Sequence, residues 1–202
     1  INKNIPSEAG LAGGSSNSAA VITGLNKMWK LNMTTFEMQQ VGLKIGADVP
    51  FCLAGGTYLA EGIGEKLTKL ENFLWENILI VKPSFSMSTA FVYKNISPIQ
   101  YNLYSNSEII KHINEHRYED VPMYTANTLE RVVEKIHPEI NHIKNIMIKS
   151  NASCSMMTGS GSAVFGLFPD NERMNDAYNI LKNKYQKVYT SKTIEKGIDF
   201  YV

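Results

Sequence analysis

The spacing of apolar and polar positions divides the chain into helical and extended stretches. Ile1-Asn2-Lys3-Asn4-Ile5-Pro6 alternates like a strand running into a loop, and the following glycine-rich stretch through Gly14 continues that loop. From Ser15 or Ser16 to about Lys30, Ala19, Ile22, Leu25 and Trp29 recur at helical spacing and predict one helix. Thr34 followed by Glu37 is a capping-box signature, and the helix it opens is expected to close near Gly46. Asp48-Val49-Pro50 is then expected in a loop. Thr57-Tyr58-Leu59-Ala60 and a glycine turn at Gly62 and Gly64 predict tightly joined strands.

The character changes around Leu70–Asn77. Ile78-Leu79-Ile80-Val81, ended by Pro83, predicts the first strand of a second domain. Helices are expected over 107–116, 125–136, 139–150 and 172–184, with His137-Pro138 breaking the middle pair. Strands are expected over 153–157, 162–168 and 187–193. The elements alternate without the strand–crossover rhythm of a doubly wound sheet, so the fold class is α+β. Two domains are expected, 1–74 and 75–202, with no repeats and no low-complexity linker.

Composition narrows the function. Lys and Arg total 20 against 19 Asp and Glu, a formal charge of +1, which argues against a nucleic-acid partner. One anionic small molecule remains compatible, because a few oriented N–H groups suffice to hold it. No apolar run approaches the roughly 18 residues that span a bilayer, and no signal peptide is evident. The expectation is a cytoplasmic protein without a membrane partner. Because the chain opens at Ile1 in a strand-like pattern, the numbering reads as beginning inside a domain, with a piece upstream. Cys52 and Cys154 are expected as two reduced, buried thiols rather than a disulfide. The four histidines all fall in expected helices; His112 and His116 have metal-binding i, i+4 spacing, but a solvated helix face is the expectation.

The candidate chemistry starts at Pro6-Ser7-Glu8-Ala9-Gly10-Leu11-Ala12-Gly13-Gly14-Ser15-Ser16. Three glycines permit a sharp turn or a close backbone approach to a ligand. A helix start supplies unpartnered N–H groups and the positive end of its dipole. Together they make a phosphate site, although Ser15 could be only an N-cap and the glycines only a turn. The segment is neither a Walker A loop, lacking the lysine, nor GxGxxG. Asp48, between apolar residues and followed by a proline, could by itself cap a turn. Met157-Thr158-Gly159-Ser160-Gly161-Ser162 reads as a glycine turn into a buried strand.

These segments carry a resemblance. The glycine-serine loop resembles the phosphate-binding motif of GHMP kinases, Pro-x-x-x-Gly-Leu-Gly-Ser-Ser, with Ala12 where glycine is usual and Asn17 where aspartate is frequent. Gly46-Ala47-Asp48-Val49-Pro50, Gly55-Gly56 and Ala60-Glu61-Gly62-Ile63-Gly64-Glu65 resemble the methylerythritol-kinase branch of that superfamily. Met157–Phe168 resembles the third GHMP motif, and Ala126-Asn127-Thr128-Leu129-Glu130 resembles an Asn-Asp-Leu-Glu stretch, with Thr128 in place of Asp, in which Asn127 is structural.

The resemblance implies a two-domain kinase, the remainder of an S5-like N-terminal domain followed by a ferredoxin-like C-terminal domain. It implies ATP with Mg2+ as phosphoryl donor and, as substrate, a cytidyl-diphosphate-linked polyol phosphorylated on its 2-hydroxyl in the non-mevalonate isoprenoid route. Pro6 through Ser16 would hold the phosphates, and Asp48 would be the base. Tyr93 and Thr89, in Ser88-Thr89-Ala90-Phe91-Val92-Tyr93, would seat the cytosine end. Gly159, Ser160 and Gly161 would pack against loop and substrate. A family lysine would lie upstream of Ile1. Open alternatives are a homoserine- or mevalonate-type kinase, or a nucleotide-binding piece without catalysis. The expected assembly is a monomer or weak homodimer.

Overall fold

The computed structural model describes residues 4–97 and 106–198. The chain forms two compact units that do not follow chain order at its ends: Ala12–Leu74 with Ile194–Val202, and Ile1–Leu11 with Trp75–Thr193.

In the unit built on Ala12–Leu74, α1 spans Gly13–Met28, α2 Thr35–Leu43 and α3 Val49–Ala54, followed by an antiparallel hairpin of β1, Tyr58–Glu61, and β2, Lys66–Lys69. The capping box of α2 is complete. Glu37 N–H donates to Thr34 Oγ1 (3.2 Å), and Glu37 Oε2 accepts from the Thr34 N–H (2.7 Å). Helices α2 and α3 pack closely because Gly42 has no side chain: a Cβ there would stand 2.7 Å from Val49 Cγ1.

Two expectations are corrected in this unit. The helix α1 begins at Gly13 rather than Ser15 or Ser16, so the last two glycines of the loop are helical, and Trp29 lies past its end, 61% exposed. Asp48-Val49-Pro50 is not a loop. Asp48 is the N-cap of α3, and Pro50 fits the first turn, where the N–H it lacks would have no helical partner.

The other unit holds β3 Ile78–Lys82, α4 Thr89–Lys94, α5 Ser107–Asn114, α6 Val121–Tyr124, α7 Glu130–Ile136, α8 Glu139–Lys149, β4 Cys154–Met157, β5 Val164–Leu167, α9 Asn171–Lys182 and β6 Lys187–Ser191. Its antiparallel sheet has the order β4-β5-β3-β6, the ferredoxin-like arrangement in which the first strand lies inside. Leu79 and Val81 of β3 are fully buried, as a strand paired on both edges requires. Onto them pack Ile140, Ile143 and Met147 of α8 and Met174, Ala177 and Leu181 of α9, at helical spacing. Gly166 of β5 lets α8 close on the sheet, since a Cβ would meet Met147 Sδ at 2.9 Å.

The expected helix 125–136 starts only at Glu130, because the Asn127 side chain accepts from the Leu129 N–H (2.9 Å) and holds 125–129 out of the helix. The histidine expectation also changes. His112 is buried and stacks on Tyr124, with ring centroids 4.9 Å apart, and His116 is exposed but lies in the turn after α5, with φ 57°. His137 caps α7 rather than lying within it. Cys52 and Cys154 are free thiols, half-buried rather than fully buried. Of the expected first strand, Ile1–Lys3 lie outside the described residues, and residues 4–6 have no regular structure. Among the described residues no helix is long and apolar enough to cross a membrane.

Candidate active site

The first half of the glycine-serine loop is fastened to the glycine turn between β4 and β5, inside one unit. Ala9 is buried and its carbonyl accepts from the Ala163 N–H (3.0 Å). The Gly10 carbonyl accepts from Thr158 Oγ1 (3.0 Å). Gly10 has φ +72°, and a Cβ on it would fall 2.1 Å from the Thr158 carbonyl oxygen, so no other residue allows this approach. The turn is closed by Thr158 N–H to the Ala163 carbonyl and by Gly161 N–H to the Thr158 carbonyl, each 2.9 Å. Asn127 Nδ2 donates to the carbonyls of Met157 (2.7 Å) and Gly159 (2.8 Å), which makes it the clamp of this turn. Glu130 adds to it by accepting from the Met157 N–H (2.5 Å). Burial pushes the Glu130 carboxyl up, while Lys144 and that N–H pull it down.

The same turn reaches α4. Ser160 is buried, and its hydroxyl lies 2.8 Å from Thr89 Oγ1. Ser162 donates to the Phe85 carbonyl (2.7 Å). Thr89 and Tyr93 are one helical turn apart on α4 and therefore share a face. That face is exposed, Tyr93 at 52%, while Val92 turns inward to the core. Sequence periodicity could not find α4, a helix of only six residues, although Ser88, whose side chain accepts from the Phe91 N–H (3.4 Å), is an N-cap signal.

In the other unit, the second half of the loop becomes the first turn of α1. Its N-cap is Ala12 in the left-handed region (φ 49°), which has no side-chain acceptor, and the first turn carries no acidic residue. Ser16 N–H makes the first helical bond, to the Ala12 carbonyl (2.9 Å). The N–H groups of Gly13, Gly14 and Ser15 therefore have no intrahelical acceptor and no cap. Ser15 is thus not the cap; it is the third helical residue. A Cβ on Gly14 would meet nothing within 4 Å, so packing inside the protein does not require that glycine.

The segment just before Asp48 comes to this helix end. A Cβ on Gly46 would lie 4.0 Å from Ser15 Oγ, and Val49 and Pro50, both buried, anchor the other side. The Ala47 carbonyl is packed by Gly64 of the β1–β2 turn, where a Cβ would come to 3.3 Å. The two separate stretches around Gly46–Pro50 and Ala60–Glu65 are thereby in contact. The Asp48 carboxylate is exposed and makes no capping bond to α3. It sits near Cys52, whose thiol is pushed up first by burial and then by that negative charge. Among the described residues no three His, Cys, Asp or Glu side chains gather as a metal site.

Family models match the chain twice: the GHMP kinases N terminal domain over residues 1–56 and the GHMP kinases C terminal domain over 105–187. A 4-diphosphocytidyl-2-C-methyl-D-erythritol kinase of Clostridioides difficile is 43% identical over 201 residues, covering 98% of this chain and 68% of the relative. The kinase of the same name from Acetivibrio thermocellus is 44% identical over 195 residues, 96% of this chain and 69% of the relative. A crystal structure of 4-(cytidine 5'-diphospho)-2C-methyl-D-erythritol kinase superposes with a TM-score of 0.80 at 26% identity, over 95% of this chain and 68% of the other. Homoserine kinase of Cytophaga hutchinsonii, at 17% identity and a TM-score of 0.79 over 96% of this chain and 69% of the other, shares the fold. With both halves matched in order and two fifths of its residues identical to curated relatives, the chain belongs to the GHMP kinases.

Proposed function

We propose that the chain transfers the γ-phosphoryl group of ATP to the 2-hydroxyl of 4-diphosphocytidyl-2-C-methyl-D-erythritol. The observation that carries this is the uncapped start of α1, an acceptor-seeking set of amides, with Gly46 close to Ser15 and the exposed Asp48 two residues further on. The loop Pro6–Ser16 grips the phosphates: its amides offer N–H donors, and Ser15 and Ser16 add hydroxyls. Phosphoryl transfer asks the protein mainly for positioning and charge stabilisation. Asp48 accepts the proton of the attacking alcohol, which is worth about 10²–10⁴-fold. Magnesium travels with the nucleotide, because Mg2+ keeps waters and phosphate oxygens and needs only one or two carboxylates.

Thr89 and Tyr93 seat the cytidyl end of the substrate, with Gly159, Ser160 and Gly161 supporting it. A base stacked on an aromatic ring gains about 1–3 kcal/mol. The enzyme works in the cytoplasm as a monomer or weak homodimer.

The test is Asp48→Asn. Steady-state assays with ATP and the cytidyl substrate should show kcat reduced by about 10²–10⁴-fold at an unchanged Tm. A variant retaining near-normal kcat removes Asp48 as the base. A substrate panel including homoserine and mevalonate completes the test; preference for either over the cytidyl compound overturns the substrate.

A further inference from the structure

Lys82 is a lysine where the pattern calls for an apolar residue. It ends the buried strand β3, is 4% exposed, and stands opposite Lys187 of β6. An ammonium group in such a place needs acceptors. It finds them in the main chain just ahead: Nζ donates to the carbonyls of Pro83 (2.9 Å) and Phe85 (2.5 Å). The Phe85 carbonyl also accepts from Ser162 Oγ (2.7 Å), so one oxygen ties the β3–α4 turn to the glycine turn. The Phe85 ring is fixed separately by stacking on His137, at 3.8 Å and 8°. Burial and Lys187 pull Lys82 below the ordinary lysine range, and Glu8 and Glu139 oppose this.

That turn sets the entry of α4. Ser88 caps the helix, Thr89 opens it against Ser160, and Tyr93 follows one turn later. We infer that Lys82 is a positioning residue for the cytidyl end of the substrate: by gathering the Pro83 and Phe85 carbonyls, it sets α4 and the Gly159–Ser162 turn in register. This rests on the function proposed above. The bonds that fasten Gly10 and Ala9 end on Thr158 and Ala163, at the two ends of the turn, and do not pass through Phe85, so the phosphate loop should shift less than α4 and the tip of the turn when Lys82 is changed.

The experiment is steady-state kinetics of Lys82→Met, Ser162→Ala and the double variant, with melting followed by circular dichroism. Lys82→Met should raise KM for the cytidyl substrate about tenfold, with kcat and KM for ATP within about twofold. Ser162→Ala should raise the same constant by less. The double variant should fall short of the product of the two, because both donors act on one carbonyl. A folded Lys82→Met with unchanged KM overturns the inference, as does a parallel fall of all constants that tracks the folded fraction. If Lys82→Met does not fold, Ser162→Ala decides: an unchanged cytidyl KM rejects the inference. A wild-type protein inactive on the cytidyl substrate removes the proposed function itself, and the role of Lys82 with it.

Discussion

Two glycines of one loop make opposite demands. At Gly10 a methyl group would collide with the Thr158 carbonyl oxygen at 2.1 Å, and φ is +72°. Gly10→Ala should therefore cost about 1–3 kcal/mol of stability, read as a lower urea midpoint, and should weaken ATP binding as the loop shifts. At Gly14 the methyl group meets open space and the backbone is helical. Gly14→Ala should raise the stability of the free protein by up to about 0.5–1 kcal/mol, since Ala is the better helix former. The same methyl would stand where the uncapped amides meet a phosphate, so ATP affinity should fall at least about tenfold. Titration calorimetry beside urea denaturation checks both variants. Unchanged ATP affinity in Gly14→Ala would show that no phosphate comes near this backbone. Of these two roles only the loop itself was legible in the sequence; the partner at 2.1 Å is 148 residues away along the chain.

At the scale of elements, α2 offers the cleanest test of local chemistry. Thr34→Ala removes the hydroxyl that accepts from the Glu37 N–H and should cost about 1 kcal/mol. The Glu37 carboxyl is held below its ordinary 4.5, first by the Thr34 N–H and then by its hydroxyl. A depressed carboxyl contributes stability that is fully present above the ordinary value and is lost as pH falls through the folded one. Urea unfolding between pH 7 and pH 3 should thus show the wild type losing stability below about pH 4.5. Thr34→Ala, lacking one of the two donors, should show a shallower decline. A slope identical in both proteins would mean that the hydroxyl contributes nothing to the carboxylate.

This helix was legible because its signal lies within four residues, Thr34 to Glu37. The elements misjudged from sequence answer to distant partners. The helix expected from 125 begins only after Asn127, because the carbonyls of Met157 and Gly159 claim its amide. Gly13 and Gly14 enter α1 although glycine is a poor helix former, directly after Ala12, which is left-handed (φ 49°) and lies outside the helix. Lys82 escaped notice because a lysine after an apolar run reads as the end of a strand, and its two acceptors are visible only in three dimensions.

At the scale of the whole molecule, the α+β class follows from element order alone, but the sheet order does not. β3 pairs with β5 and β6, so Val81 faces Val164 on one side and Val188 on the other, and no local pattern encodes such pairings. Charge does act at this scale, and its near balance, 20 basic against 19 acidic residues, makes a prediction. Nucleotide capture by the proposed loop would rest on short-range amide dipoles rather than on a long-range positive field. ATP binding to the native state alone stabilises it by about 2.7 kcal/mol at a hundred times Kd. For a chain of this size each kcal/mol is worth about 2–4 °C, so saturating Mg-ATP should raise Tm by about 5–11 °C. That shift should survive in Asp48→Asn, because a base acting on the alcohol adds little to nucleotide binding, and should largely vanish in Gly10→Ala. Raising KCl from about 50 to 200 mM should reduce it only modestly, in contrast to the roughly 10³–10⁵-fold loss of affinity when six to ten phosphates are neutralised by Lys and Arg. A shift abolished by that salt step would mean that side-chain cations hold the nucleotide. No shift at all with saturating Mg-ATP would refute the phosphate-binding loop, whatever the kinetics of Asp48→Asn.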